Sequence, residues 1–163
     1  MPQWLRLAAS LIRRLPCGRY VLMNLLCKPG SAPFISPFQV TEGRLRFVCD
    51  VRDGYARETA FMGWYEPQET IVFRQLLRTG DCVVDVGANW GYFTLLAADL
   101  VGSNGRVIAL EPHPALFRQL RENVALNRLG QVTCLQVAAS DREGGLPFVT
   151  YPEAALNRGT SRL

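Results

Sequence analysis

Two carboxylates and two glycines carry the chemistry that this sequence suggests. Asp85 stands near the end of the valine-rich run 82–86, and Gly87 and Gly91 follow at once. Such a run, ending in an acid and glycines, predicts a buried parallel strand that turns tightly into a helix. Glycine at both positions lets the backbone bend and approach a ligand closely. The free N–H groups of a helix starting near Trp90 would then face an arriving carboxylate or phosphate. The same pattern also occurs in α/β proteins that hold no ligand at that turn. The second carboxylate, Glu111, ends the next apolar run, 106–110, twenty residues beyond Gly91. At that distance a strand-end acid reaches a ribose, whose vicinal hydroxyls suit its two acceptor oxygens. The alternative is that Glu111 caps the helix opening at Pro114.

The glycine spacing separates the cofactors. A dinucleotide fingerprint, G-x-G-x-x-G, needs a glycine where this chain has Asn89, so NAD is disfavoured. An acid before the first glycine and a second acid at the end of the next strand instead resemble the class I S-adenosylmethionine-dependent methyltransferases. The likeness is closer than class level. YEP (65–67), DVGANWGYFTL (85–95), ALEPHP (109–114), ENVALN (122–127) and AASD (138–141) together resemble the FkbM family, from about Phe61 to Leu163. The resemblance implies S-adenosylmethionine as cofactor. Gly87, Asn89 and Gly91 would surround its methionine end, with Asp85 shaping that pocket and orienting the amino group. Glu111 would hold the ribose, Pro112 would pack on one face of the adenine, and Ala139 with Asp141 would line the other side. Asp141 reads equally as a turn residue before Gly144 and Gly145. Glu66, where a helix enters, is either a ligand contact or a cap and dipole partner. No residue presents itself as the catalytic base. The only histidine, His113, lies between two prolines and reads as an exposed turn residue.

Several elements must position these groups. A helix over 66–78 has Pro67 at its first position, Glu69 in its first turn, an apolar face at Val72, Phe73, Leu76 and Leu77, and Gly80 beyond its end. After the glycine turn, Phe93, Leu96, Ala97 and Leu100 predict a helix packed on the sheet. A strand over 106–110 follows, then a helix from Pro114 whose apolar face is Leu116, Phe117, Leu120 and Val124, a stop near Gly130, a strand over 131–137 and a short strand at 146–151. Upstream, Trp4, Leu5, Leu7, Leu11, Ile12 and Leu15 recur by threes and fours between arginines, predicting a helix that ends at Pro16, with a second after it. That basic amphipathic segment suits packing on its own domain or lying on an anionic membrane. Prolines and serines over 29–37 read as a linker, and 38–40 with 44–51 alternate around Glu42 and Gly43 like a hairpin. The expected fold is α/β, a Rossmann-like class I methyltransferase sheet, incomplete, with its first three parallel strands and flanking helices. Residues 1–64 form a helical and β-hairpin extension before a partial cofactor-binding domain at 65–163.

Composition bounds the rest. At 163 residues and 48% hydrophobic, the chain can bury about two thirds of its surface. No apolar run approaches the ~20 residues of a membrane span, and no secretory signal is evident. The net charge of +4 reads as modest and scattered, without the basic cluster of a nucleic-acid surface. Five cysteines without metal-ligand spacing suit a reducing cytoplasm, and Cys82 and Cys134 read as small buried hydrophobes in core strands.

The FkbM resemblance also implies a continuation. After the NRGTS-like stretch at 157–161 the family runs on to a KIDxEG-like strand that has no counterpart here, so the expectation is the N-terminal part of a methyltransferase lacking its catalytic C-terminal half. The implied activity is O-methylation of a sugar or secondary-metabolite hydroxyl, with a small-molecule or glycan hydroxyl as acceptor. The unpaired edge of the strand at 82–86 would favour self-association. The competing readings are a non-catalytic cofactor-binding remnant and a nicotinamide-dependent oxidoreductase.

Overall fold

The computed structural model describes residues 2–27 and 31–145. The strand expected at 146–151 and the stretch at 157–161 lie outside them. The chain divides into two compact units, the first ending at Pro67 and the second beginning at Gln68.

In the first unit, α1 (Gln3–Arg14) and α2 (Arg19–Leu26) are separated by Pro16 and by Gly18, which takes φ +74°. Helix α1 buries Leu5, Ala9 and Ile12 and packs on α3 (Gly54–Met62), a helix the pattern analysis did not anticipate. The Asp53 carboxylate accepts the Ala56 N–H at 2.9 Å and caps the helix. The hairpin also differs from the expectation. Its strands are β1 (Phe34–Pro37) and β2 (Arg46–Cys49), antiparallel with Pro37 opposite Arg46, so the first strand lies in the stretch read as linker. Residues 38–40 do not extend because the Thr41 hydroxyl donates to the Phe38 carbonyl at 2.8 Å and accepts the Leu45 N–H. Those bonds curl the loop into a 3₁₀ turn.

The second unit follows the strand–helix alternation. Helix α4 (Pro67–Leu76) precedes β3 (Cys82–Val86), α5 (Tyr92–Val101), β4 (Arg106–Leu110), α6 (Pro114–Leu126) and β5 (Val132–Leu135). The sheet is parallel in the order β3-β4-β5, with Asp85 opposite Ala109 and Ala109 opposite Cys134. Both crossovers step the same way, so their right-handedness sets α5 and α6 on one face. There Val83 and Val107 pack with Ala97, Ala98 and Val101, and Ala109 packs with Ala88 and Leu120. This rotates the packed stripe of α5 away from the expected Phe93 and Leu100. Phe73 of α4 and Leu77 just past its end join the core, while Val72 and Leu76 are exposed.

The opposite face of the sheet is uncovered among the described residues. Val84 is 56% and Val86 61% exposed. Cys82 shares this face and is exposed too, so it is not the buried hydrophobe expected, whereas Cys134 is partly buried against the α6 side. The far edge of β3 has no partner strand among the described residues.

Candidate functional site

Ligands of open parallel sheets bind beyond the carboxyl ends of the strands, and at that end β3 and β4 are tied together by the glycine turn. The N–H groups of Gly87 and Ala88 both donate to the Leu110 carbonyl at 2.9 Å. The Asn89 N–H donates to Glu111 Oε2 at 2.7 Å, and the His113 N–H to Glu111 Oε1 at 2.8 Å. Each carboxylate oxygen of Glu111 thus accepts one backbone amide. Trp90 donates its N–H to Asn89 Oδ1 at 2.7 Å, and the Gly91 N–H bonds the Ala88 carbonyl. The amides of residues 87–91 are therefore engaged by the chain itself, so any N–H group offered to a ligand must come from α5 beyond Gly91. The loop is too tight to leave them open, because it must reverse direction within five residues.

Three of those five residues take left-handed backbone: Gly87 at φ +80°, Asn89 at φ +55° and Gly91 at φ +101°. Asparagine is tolerated at such a position because its short amide bonds locally, which is what the Asn89–Trp90 contact does. The two glycines differ in their surroundings. A Cβ on Gly91 would come within 2.8 Å of Leu120 Cδ1, whereas one on Gly87 would meet nothing within 4 Å. Gly91 serves helix packing, and Gly87 borders open space.

Asp85 lies across from this turn. It accepts a short bond from the Thr94 hydroxyl and is also bonded by the Thr94 backbone, which places a carboxylate in the first turn of α5, where the helix dipole favours it. Burial nevertheless raises the Asp85 carboxyl above its ordinary value, with the Thr94 bonds pulling the other way. Glu111 is also raised, first by burial and further by Asp85, against the backbone bonds from His113 and Asn89.

Other placements depart from expectation. His113 is buried, not exposed. Its Nδ1 accepts the Ala115 N–H at 3.2 Å, so His113 and not Glu111 caps α6. Pro112 is half-buried between them. Ala139 and Asp141 lie on the exposed loop after β5, where Asp141 bonds only its neighbours Ser140 and Arg142 among the described contacts. Glu66 belongs to the first unit, at φ +46°, and accepts from the Tyr65 hydroxyl, whose pKa rises chiefly through burial and then through that bond. Three positioning residues went unread. Asn123 Nδ2 donates to the Trp90 carbonyl at 2.8 Å, and the Thr70 and Tyr92 hydroxyls bond at 2.9 Å. A buried asparagine inside an apolar helix face was the available signal for the first. A cavity of about 520 Å³ runs along the outer side of α6 to Gln136, and none of the candidate residues lines it. Among the described residues no group of acids, cysteines and histidine is placed to hold a metal.

Comparison with known proteins follows this geometry. The sequence model of the TRM5/TYW2 methyltransferase domain matches residues 46–144. Over 84 residues the chain is 44% identical to a 31-O-demethyl-FK506 methyltransferase of Streptomyces tacrolimicus, covering 51% of this chain and 31% of that one. Over 68 residues it is 43% identical to a protein-L-isoaspartate O-methyltransferase of Aeropyrum pernix, covering 42% and 25%. The matches thus span less than a third of the length of these two relatives. A solved S-adenosylmethionine-dependent O-methyltransferase from Thermotoga maritima aligns at 24% identity and TM-score 0.40, covering 45% of this chain and 29% of its own.

Proposed function

This chain belongs to the TRM5/TYW2 methyltransferase domain family, within the class I S-adenosylmethionine-dependent methyltransferases, and on that premise we propose that its parent activity is FkbM-type transfer of a methyl group to a hydroxyl of a small molecule or glycan. The carrying observation is the strand-end knot: a half-buried carboxylate, Asp85, and a buried one, Glu111, beside Gly87, whose free side is open. These residues fit the cofactor. Asp85 would orient its amino group, Glu111 would accept from the ribose with the lone pairs its two amide bonds leave unused, and Gly87 and Asn89 would border the methionine end, with Gly91 behind them fixing the helix. Pro112, Ala139 and Asp141 would flank the adenine. When bound, S-adenosylmethionine supplies a methyl group on a positively charged sulfur. The chain's own part is to align and desolvate that centre.

A second reading is that this length of chain holds the cofactor without completing turnover. The prior engagement of both strand-end carboxylates favours it. The edge of β3, unpaired among the described residues, supports self-association, and five free cysteines suit a reducing cytoplasm.

Calorimetric titration with S-adenosylmethionine, S-adenosylhomocysteine and NAD tests the site, and a labelled methyl assay on hydroxyl acceptors tests the activity. We expect the first two ligands to bind and NAD to bind more weakly. Tighter NAD binding would refute the assignment.

A further inference from the structure

The excess of positive charge is not scattered. No acid precedes Glu42, while Arg6, Arg13, Arg14, Arg19 and Lys28 do; from Glu42 onward thirteen basic residues face fourteen acids. The whole net charge therefore gathers at the helical N-terminal segment, against the even distribution expected from composition.

Those helices are also apolar on the outside. Leu5, Ala9 and Ile12 of α1 are buried, but a second stripe at the same spacing faces out: Trp4 is 60%, Leu7 67% and Leu11 65% exposed. Val21 and Leu25 of α2 are exposed likewise. On a 3.6-residue helix Trp4, Leu7 and Leu11 share one side, and Arg6, Arg13 and Arg14 share the flank next to it. The arginine flank opens on a cavity of about 360 Å³ lined by Arg6, Ser10, Arg13, Arg14, Ser36 and Gln39. No carboxylate lines it. The Arg13 Nε–H is spent on the Ala9 carbonyl at 3.2 Å, and Glu58, the acid bonded to α2, accepts from the Tyr20 hydroxyl at 2.7 Å.

We propose that α1 and α2 form a docking surface for an anionic lipid bilayer, with the Trp4–Leu7–Leu11 stripe entering the headgroup–acyl boundary and the arginine cavity receiving a lipid phosphate. Charge complementarity selects this occupant. A second copy would set the same uncompensated cations against each other. A nucleic-acid backbone would satisfy the arginines but leave Leu7, Leu11, Val21 and Leu25 in water. An anionic interface satisfies both halves, since apolar burial and attraction to anionic headgroups add in one orientation. Three guanidinium groups around one opening suit phosphate oxygens, which they can bond in pairs.

Sedimentation of the full chain with vesicles tests this, using phosphatidylcholine alone and phosphatidylcholine mixed equally with phosphatidylglycerol. The chain should partition onto the mixed vesicles and release at high salt. Arg6→Gln and Arg14→Gln should each weaken partition about fivefold, and Leu7→Ser with Leu11→Ser should weaken it more than about tenfold. Unchanged ellipticity and cofactor titration will show that these exposed substitutions leave the fold intact; if the double variant loses ellipticity, the arginine variants and the salt dependence decide. Equal partition onto neutral vesicles overturns the proposal. So does partition that falls with Val84→Ser and Val86→Ser instead, which would assign it to the open sheet face. Binding of an RNA hairpin that needs the arginines but not the leucines, or a dimer that Leu11→Ser dissociates and that ignores vesicles, overturns it as well.

Discussion

The two ends of the proposed cofactor site carry similar residues and are built in opposite ways. At the strand end, Glu111 is buried and each of its oxygens holds a backbone amide, one from nearby His113 and one from Asn89, 22 residues away. In the loop after β5, Asp141 is exposed and among the described residues bonds only Ser140 and Arg142, at 3.3 and 3.4 Å. One carboxylate fixes the fold at the point where it would bind, and the other is held by its sequence neighbours alone. A pre-formed half and an adaptable half follow, because only the first is over-determined by long-range contacts.

The sharpest break in that comparison comes from the glycines of the rigid half. Gly91→Ala combines left-handed strain with a contact to Leu120, and should cost about 2–4 kcal/mol of stability in denaturant unfolding. Gly87→Ala meets no neighbour and should cost about 1–2 kcal/mol, while its methyl group enters the open side and lowers cofactor affinity. If the two variants were equally unstable, the division between a packing glycine and a ligand glycine would fail.

Glu111 tests the same half by charge. Glu111→Gln can accept only one of the two amides and should lose about 1–3 kcal/mol of stability. Because burial raises the carboxyl, the folded state holds its proton more tightly than the unfolded chain. Its contribution to stability is therefore full below the ordinary glutamate pKa and is lost as pH rises through the raised value. Affinity should run the other way, rising over the same window as the carboxylate forms and accepts from hydroxyls. Opposed slopes in melting and titration, both flattened by Glu111→Gln, are the expected result. Parallel slopes would remove Glu111 from the ligand.

The smallest effect belongs to the adaptable half. Asp141→Ala should change stability by less than about 0.5 kcal/mol and weaken cofactor binding by no more than about tenfold, the worth of one hydrogen bond. A larger loss of stability would mean that the loop is tied down by more than its neighbours.

Period and spacing alone were enough to read β3, the glycine turn, β4, α6 and the strand-end acids, because hydrophobic repeat and glycine punctuation are local and survive in one dimension. The candidate residues at 85–91 and 111 were legible for the same reason. The partners were not. That the turn amides are satisfied by Leu110 and Glu111, that Leu120 rather than a ligand stands behind Gly91, that Asn123 holds the Trp90 carbonyl and that His113 is buried as a cap all depend on crossovers that bring residues 20 or more positions apart together, or on burial that no repeat encodes. The same crossovers, both turning one way, decided which face of the sheet is covered and left Cys82, Val84 and Val86 on the other. An alternating strand pattern marks two faces; only the handedness of the connections says which one the helices take.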